Sequence, residues 1–398
     1  MEKVANRDPL HYLKDELEAL EAKGVRVHPP VLEGEQLPVA VFNGRRVINL
    51  GSNNYLGLTT HPKLRAAAEA AVRNLGAGSG AVRTITGTMR GHVELETAIA
   101  RFKGTEAAVV FQSGFTANAG TVSAVLGRED FIISDELNHA SIIDGARLSR
   151  ATIKVFPHRN TQAAEKILAE LAPQPGRKLL ITDGVFSMDG DIAPLPELCA
   201  LAEKYGAIMM VDDAHASGVL GRNGRGTVDH FGMHGRVQIQ VGTLSKAVGA
   251  LGGYVCGSAH LIEFLRLRGR PFLFSTSHPP AVTAACQAAF EVLEQEPERI
   301  TQLWANTRRF QCGLRTAGFD LGQTETPITP IMIGDGRKTM EFSRELFGFG
   351  VLVTGIAYPT VPEGKARLRA IVTATHAPAD LDEAVEIITR VGKRNGLV

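Results

Sequence analysis

Between about residue 63 and residue 290 the chain alternates short apolar runs with amphipathic segments, and this alternation most restricts its fold. The runs are Ala107–Phe111, Phe131–Ile133, Ile153–Phe156, Leu179–Thr182, Ile208–Val211, Val237–Val241 and Tyr254–Cys256. They are short and continuous, as strands buried on both faces require. Between most of them, segments such as Glu94–Lys103, Ala163–Leu171 and Leu195–Tyr205 repeat apolar residues at helical spacing. The pattern predicts a doubly wound α/β domain with a mostly parallel sheet and its ligands at the carboxyl ends of the strands. No Gly-x-Gly-x-x-Gly string follows the first of these strands, which weakens a dinucleotide reading.

The flanks read differently. Leu10, Leu13, Leu17 and Leu20 form a helical stripe, Pro29-Pro30 ends it, and Gly44 marks a hairpin turn before Arg46–Leu50. After about residue 290 a long helix around Pro297–Thr316 precedes strands near Ile331–Ile333, Val351–Val353 and Arg367–Thr373, then a helix from Leu381 to Lys393. The expected organisation is an N-terminal segment (1–50), a large α/β domain (51–290) and a smaller α+β domain (291–398).

Charge narrows the partners. With 43 basic and 42 acidic residues in 398, nothing draws the chain to nucleic acid or an anionic membrane. Cys199, Cys256, Cys286 and Cys312 lack metal-ligand spacing and fit free thiols in a reducing compartment. Met1–Asp8 has no apolar run of a signal peptide, and no apolar stretch is long enough for a membrane span. The expected location is cytoplasmic.

Polar groups follow several strands directly. Ser113, Gly114 and Phe115 follow Ala107–Phe111, His139 follows Phe131–Ile133, Ser187 follows Leu179–Thr182, Asp212 and His215 follow Ile208–Val211, and Thr243 and Lys246 follow Val237–Val241. Singly, each has a structural reading: Ser113 or Asp212 as a helix cap, His139 as a hydrogen-bonded core histidine, Lys246 as a solvated surface lysine. Together they are what a pyridoxal 5'-phosphate site needs. A helix start offers free N–H groups to a phosphate, a carboxylate keeps a pyridine nitrogen protonated, an imidazole stacks, and a lysine forms the Schiff base.

The chain resembles the α-oxoamine synthases, fold-type I pyridoxal-phosphate enzymes that join an amino acid to an acyl-CoA. The carriers are Ser52–Gly57, Ser113–Asn118, Asn138–Gly145, Phe186–Asp191, Val211–His215, Gly242–Lys246, Arg270–Thr276 and Arg367–Arg369, spread from about residue 8 to 396. The resemblance implies an aminotransferase-like fold and a homodimer with shared sites. It makes Lys246 the Schiff-base lysine and proton carrier, Asp212 the partner of the pyridine nitrogen and His139 the stacking ring. It puts His215 and Ser187 near the cofactor's phenolic oxygen, and Gly114, Phe115 and Thr243 at its phosphate with Ser275 and Thr276 of a second copy. Asn53 and Arg369 become the grip on the substrate carboxylate.

Some members of the family differ at Gly114, Asp213 and Ser245, none of which supplies an irreplaceable group. The strings Leu137–Leu148 and Asn223–Gly226 favour the glycine C-acetyltransferase branch, which joins glycine to acetyl-CoA and keeps the carboxylate. The alternative is 8-amino-7-oxononanoate synthase, or an enzyme with both activities; the oxononanoate synthase takes alanine and a pimeloyl thioester and releases carbon dioxide. From another class, an aminotransferase would share Asp212 and Lys246 and use no coenzyme A.

Overall fold

The computed structural model describes residues 8–398, so the segment 1–7 read above for a leader lies outside the described residues. Strands β1 (Val39–Phe42) and β2 (Arg45–Asn49) form the expected antiparallel hairpin. Its two-residue turn puts Asn43 and Gly44 at φ of 48° and 70°, the left-handed pair that matches the twist of a tight hairpin. The preceding helix, Tyr12–Ala22, contains most of the leucine stripe but buries none of it.

The seven apolar runs become β3 (Ala107–Phe111), β4 (Phe131–Asp135), β5 (Thr152–Phe156), β6 (Lys178–Asp183), β7 (Ile208–Asp212), β8 (Ile239–Thr243) and β9 (Gly253–Gly257). They make one sheet of order β3-β9-β8-β7-β6-β4-β5, antiparallel only where β9 meets β3 and β8. This is the mostly parallel α/β architecture the alternation predicts.

Both faces are covered, because successive side chains of a strand point to opposite sides. Leu179 and Ile181 of β6 pack with Phe111, Val122, Ile142 and Val241 under the helices Gly114–Val125 and Ala140–Ser149. Leu180 packs the other way, with Phe156, Leu168, Leu198 and Met209. Burying each such side chain contributes about 1.5–3 kcal/mol, so the two faces together fix the register of the sheet.

In the C-terminal part, helices Pro280–Gln295 and Glu298–Thr316 lead to β10 (Ile328–Gly334), β11 (Val351–Leu352), β12 (Thr354–Ile356), β13 (Ala366–Ile371) and the helix Pro378–Arg394. The strand expected at Val351–Val353 ends at Leu352, and after Val353 the chain crosses into a second sheet. β11 pairs parallel with β2, while β12 pairs with β13 in the antiparallel sheet β10-β13-β12. Ile48 and Leu50 accordingly pack in one core with Phe310, Phe342, Val351, Leu368 and Ile388. No described helix is long and apolar enough to cross a membrane.

Candidate active site

The ends of β4, β6, β7 and β8 and the helix after β3 converge on a cavity of about 200 Å³. Nine residues singled out in the sequence line it: Ser113, Gly114, Phe115, His139, Ser187, Asp212, His215, Thr243 and Lys246.

Ser113 is an extended N-cap whose hydroxyl accepts from Thr116 N at 3.1 Å and thereby starts the helix Gly114–Val125. The Gly114 and Phe115 N–H groups are the first two of the helix and have no intrahelical partner. β9 passes close beneath: a Cβ on Gly253 would collide with the Ser113 carbonyl, so glycine sets this approach. The Thr243 hydroxyl, at the end of β8, donates to Gly252 O at 2.9 Å and lies 2.8 Å from the Ser245 hydroxyl.

Asp212 ends β7, buried, with each oxygen held by a separate donor. Ala214 N donates to Oδ1 at 2.8 Å, and Asn118 Nδ2 donates to Oδ2 at 2.6 Å. The two bonds fix the orientation of the carboxylate. Asp183 is its Cα partner across the β6–β7 pair and also lines the cavity. Burial, then the Asp212 charge, push the Asp183 carboxyl well above the usual range.

His139 caps the helix Ala140–Ser149 and accepts at Nδ1 from Ser141 N, with the Ser141 hydroxyl at 2.7 Å from the same atom. Burial lowers its pKa against the opposing pull of Asp212, and Lys246 adds to the lowering. His215 is buried three residues after Asp212, 2.8 Å from the Tyr55 hydroxyl. Burial, then the Lys246 and Arg369 charges, hold it well below an ordinary histidine, so the ring is neutral.

Lys246 lies in the tight connection between β8 and β9, closed by Gly249 N donating to Lys246 O at 2.9 Å and Ala250 N donating to Leu244 O at 2.9 Å. Burial, opposed by Asp212, lowers its amine to about 8. A substantial neutral fraction near neutrality is what a nucleophilic lysine needs.

Arg369 and Asn53 do not line this cavity; they pair beside it. The Arg369 guanidinium donates through Nη2 to Asn53 Oδ1 at 3.2 Å and through Nε to Ser187 O at 2.6 Å. No described acidic side chain forms an ion pair with it. A second opening of about 930 Å³ shares His139 and Ser187 with the first and is edged by Leu137, Ile143, Met188, Met332 and Val361. Ser275 and Thr276 are absent from both linings.

The sequence matches the family Aminotransferase class I and II over residues 45–388. It is 57% identical to the 8-amino-7-oxononanoate synthase of Symbiobacterium thermophilum, over 97% of this chain and 99% of that one. It is also 57% identical to the enzyme of the same name from Bacillus pumilus, over 96% and 97% of the two chains. A solved structure of SPT with a PLP internal aldimine superposes with a TM-score of 0.94 at 36% identity, covering 98% of this chain and 100% of that one.

The chain belongs to the aminotransferase class I and II family. Within that family it is a fold-type I enzyme of the α-oxoamine synthase type, and its cofactor is pyridoxal 5'-phosphate.

The expectation of glycine C-acetyltransferase is overturned by those relatives, which are named for the oxononanoate synthase at 51–57% identity. The strings that suggested it are held largely by this family member's own scaffold. Asn138 donates to Ile181 O and accepts from Asp183 N, at 2.9 and 2.7 Å. Gly226 folds over the buried Lys103–Asp213 pair, whose Oδ2 a Cβ there would strike. Both contacts hold the scaffold.

Four cavity neighbours received no role from the sequence: Asp183, Asn118, Ser141 and Tyr55. Asp183 had a usable signal, because it stands at a strand end just as Asp212 does. The predicted strand stopped one residue short of it. Tyr55 and Asn118 reach their partners across 160 and 94 residues, and no local pattern encodes that.

Proposed function

We propose that this enzyme joins alanine to a pimeloyl thioester with loss of carbon dioxide, the reaction named in 8-amino-7-oxononanoate synthases. The likeness to relatives of that name along almost the whole chain carries the reading. The opening beside the cavity supports it, since an acyl chain needs an apolar channel next to the reacting atoms.

Pyridoxal phosphate, when bound, supplies an electron sink for the pair left by a broken Cα bond. The residues fit it. The unpartnered N–H groups of Gly114 and Phe115, with Ser113 and Thr243, suit its phosphate. Asp212, pinned by Asn118 and Ala214, suits its ring nitrogen, His139 its face, and Ser187 and His215 its phenolic oxygen. Lys246, with its amine brought toward neutrality, suits the aldehyde carbon.

Each side chain then has a task. Arg369 and Asn53 hold the amino-acid carboxylate and fix which Cα bond stands perpendicular to the ring. The Lys246 amine takes the Cα proton and returns it later in the cycle. His215, with Nδ1 engaged by Tyr55, has Nε2 left to hydrogen-bond the oxygen of the attacked thioester carbonyl. Ser275 and Thr276, outside this copy's cavity and next to the exposed Phe274, would reach the phosphate of a second copy in a homodimer with shared sites.

The test follows coenzyme A and carbon dioxide together, with alanine plus pimeloyl-CoA set against glycine plus acetyl-CoA. Release of both products from the first pair, at the higher kcat/KM, is expected. Thiol without carbon dioxide, or amino-to-keto exchange without thiol, would sink the proposal.

A further inference from the structure

Asn118 sits fully buried on the helix Gly114–Val125 and spends both of its N–H bonds at the candidate site. One goes to Asp212 Oδ2 at 2.6 Å and the other to the Ser141 hydroxyl at 2.9 Å. Its own carbonyl oxygen, Oδ1, is buried without a partner. Turning the amide over would set that oxygen against a carboxylate, so the observed orientation is the stable one. An amide that leaves its acceptor unsatisfied is kept for its two donors.

The direction of the remaining bonds follows. The Ser141 hydroxyl accepts from Asn118, so its own proton is free to go to the atom 2.7 Å away, Nδ1 of His139. The Ser141 backbone N–H points to that same nitrogen at 3.2 Å. Two donors on Nδ1 leave the ring proton of neutral His139 on Nε2.

We propose that Asn118 and Ser141 are positioning residues that lock His139 as its Nε2–H tautomer and hold that ring in register with the Asp212 carboxylate. The inference rests on the reading of His139 and Asp212 as the two groups that face the cofactor ring. One buried amide then sets both of them, on two elements 73 residues apart in the chain (His139 to Asp212). The ring is thereby a fixed donor through Nε2 and is unable to act as a base through Nδ1.

The test is nitrogen NMR of the holoenzyme labelled with ¹⁵N-histidine, with His139→Gln assigning the resonance. The tautomer readout needs no substrate, so it stands apart from the acyl-transfer assay. The wild-type ring should carry its proton on Nε2 from pH 6.5 to pH 8.5. Ser141→Ala should yield a mixture of tautomers and a roughly 10-fold lower kcat/KM, while Ser141→Thr, which keeps the hydroxyl, recovers most of both. Asn118→Leu should in addition weaken cofactor retention several-fold on dialysis, through Asp212. A wild-type proton on Nδ1 overturns the proposal, whether or not the variants fold. So does a folded Ser141→Ala enzyme with an unchanged tautomer and kcat/KM.

Discussion

The Tyr55 hydroxyl and Nδ1 of His215 meet at 2.8 Å in the buried interior, with ring planes at 87° to each other. The bond ties the loop after β2 to the turn that follows β7, and it fixes which nitrogen of His215 is left over. Tyr55→Phe keeps the packing and removes the bond. We expect a stability loss of about 1 kcal/mol, read from denaturant midpoints, and a kcat/KM about 10-fold lower from a freer imidazole. An unchanged kcat/KM would show that His215 needs no such support.

On the proposed reading, Lys246 captures the cofactor through its neutral amine. With its amine at about 8, the neutral fraction rises as pH increases through that value. Reconstitution of cofactor-free enzyme, followed by visible absorbance, should therefore accelerate from pH 6.5 to pH 9 and level off above. Lys246→Ala should abolish both the borohydride-sensitive absorbance and turnover; a rate flat with pH would contradict the assigned role.

Arg369 is oriented by Ser187 O and Asn53 but carries no acidic partner of its own among the described residues. Its forked geometry is the feature a carboxylate reads. Arg369→Lys should raise KM for the amino acid by about 100-fold, and Asn53→Ala by less. Equal losses toward the amino acid and the acyl donor would place the grip elsewhere.

His158 offers a stability test away from the cofactor. Burial alone would lower its pKa, but hydrogen bonds to Asp135 at 3.0 Å and Asp191 at 2.7 Å raise it to about 9. The folded value lies above the unfolded one of about 6.5. The stabilisation is therefore complete below about pH 6.5 and is lost as pH rises through 9. His158→Gln should cost about 2 kcal/mol near pH 6 and flatten the fall in Tm between pH 7 and pH 9.5. A parallel fall in both proteins would remove His158 as its source.

The parts of this architecture that depend on one segment at a time were legible in the chain. Continuous apolar runs mark β3 to β9 because burial on both faces excludes polar residues, and the gathering of Asp212, His139 and Lys246 at one cavity was legible because all three stand just past strand ends. What depends on which strands become neighbours was not. β9 enters between β3 and β8, against the order of the chain, and brings Gly253 beneath the phosphate-suited helix start. The break between β11 and β12 at Val353 likewise requires knowing that β2 waits for a partner at Val351 and Leu352. The glycine C-acetyltransferase reading failed against the relatives at 51–57% identity, and two residues of the strings behind it, Asn138 and Gly226, hold backbone contacts.

The union of β2 with β11 also sets a timetable for synthesis. Arg45 donates to the carbonyl of Gly348, 303 residues later, so the first strands leave the ribosome long before their mate exists. The seven-stranded sheet, whose strands all lie between Ala107 and Gly257, can assemble in that interval. The arginine on β13 and the asparagine that follows β2 come together only when the end of the chain arrives to close the second core. On the proposed roles, a nascent enzyme would thus hold its cofactor-facing strands in order before its amino-acid grip exists, and loss of the C-terminal helix should leave an ordered sheet with an idle site.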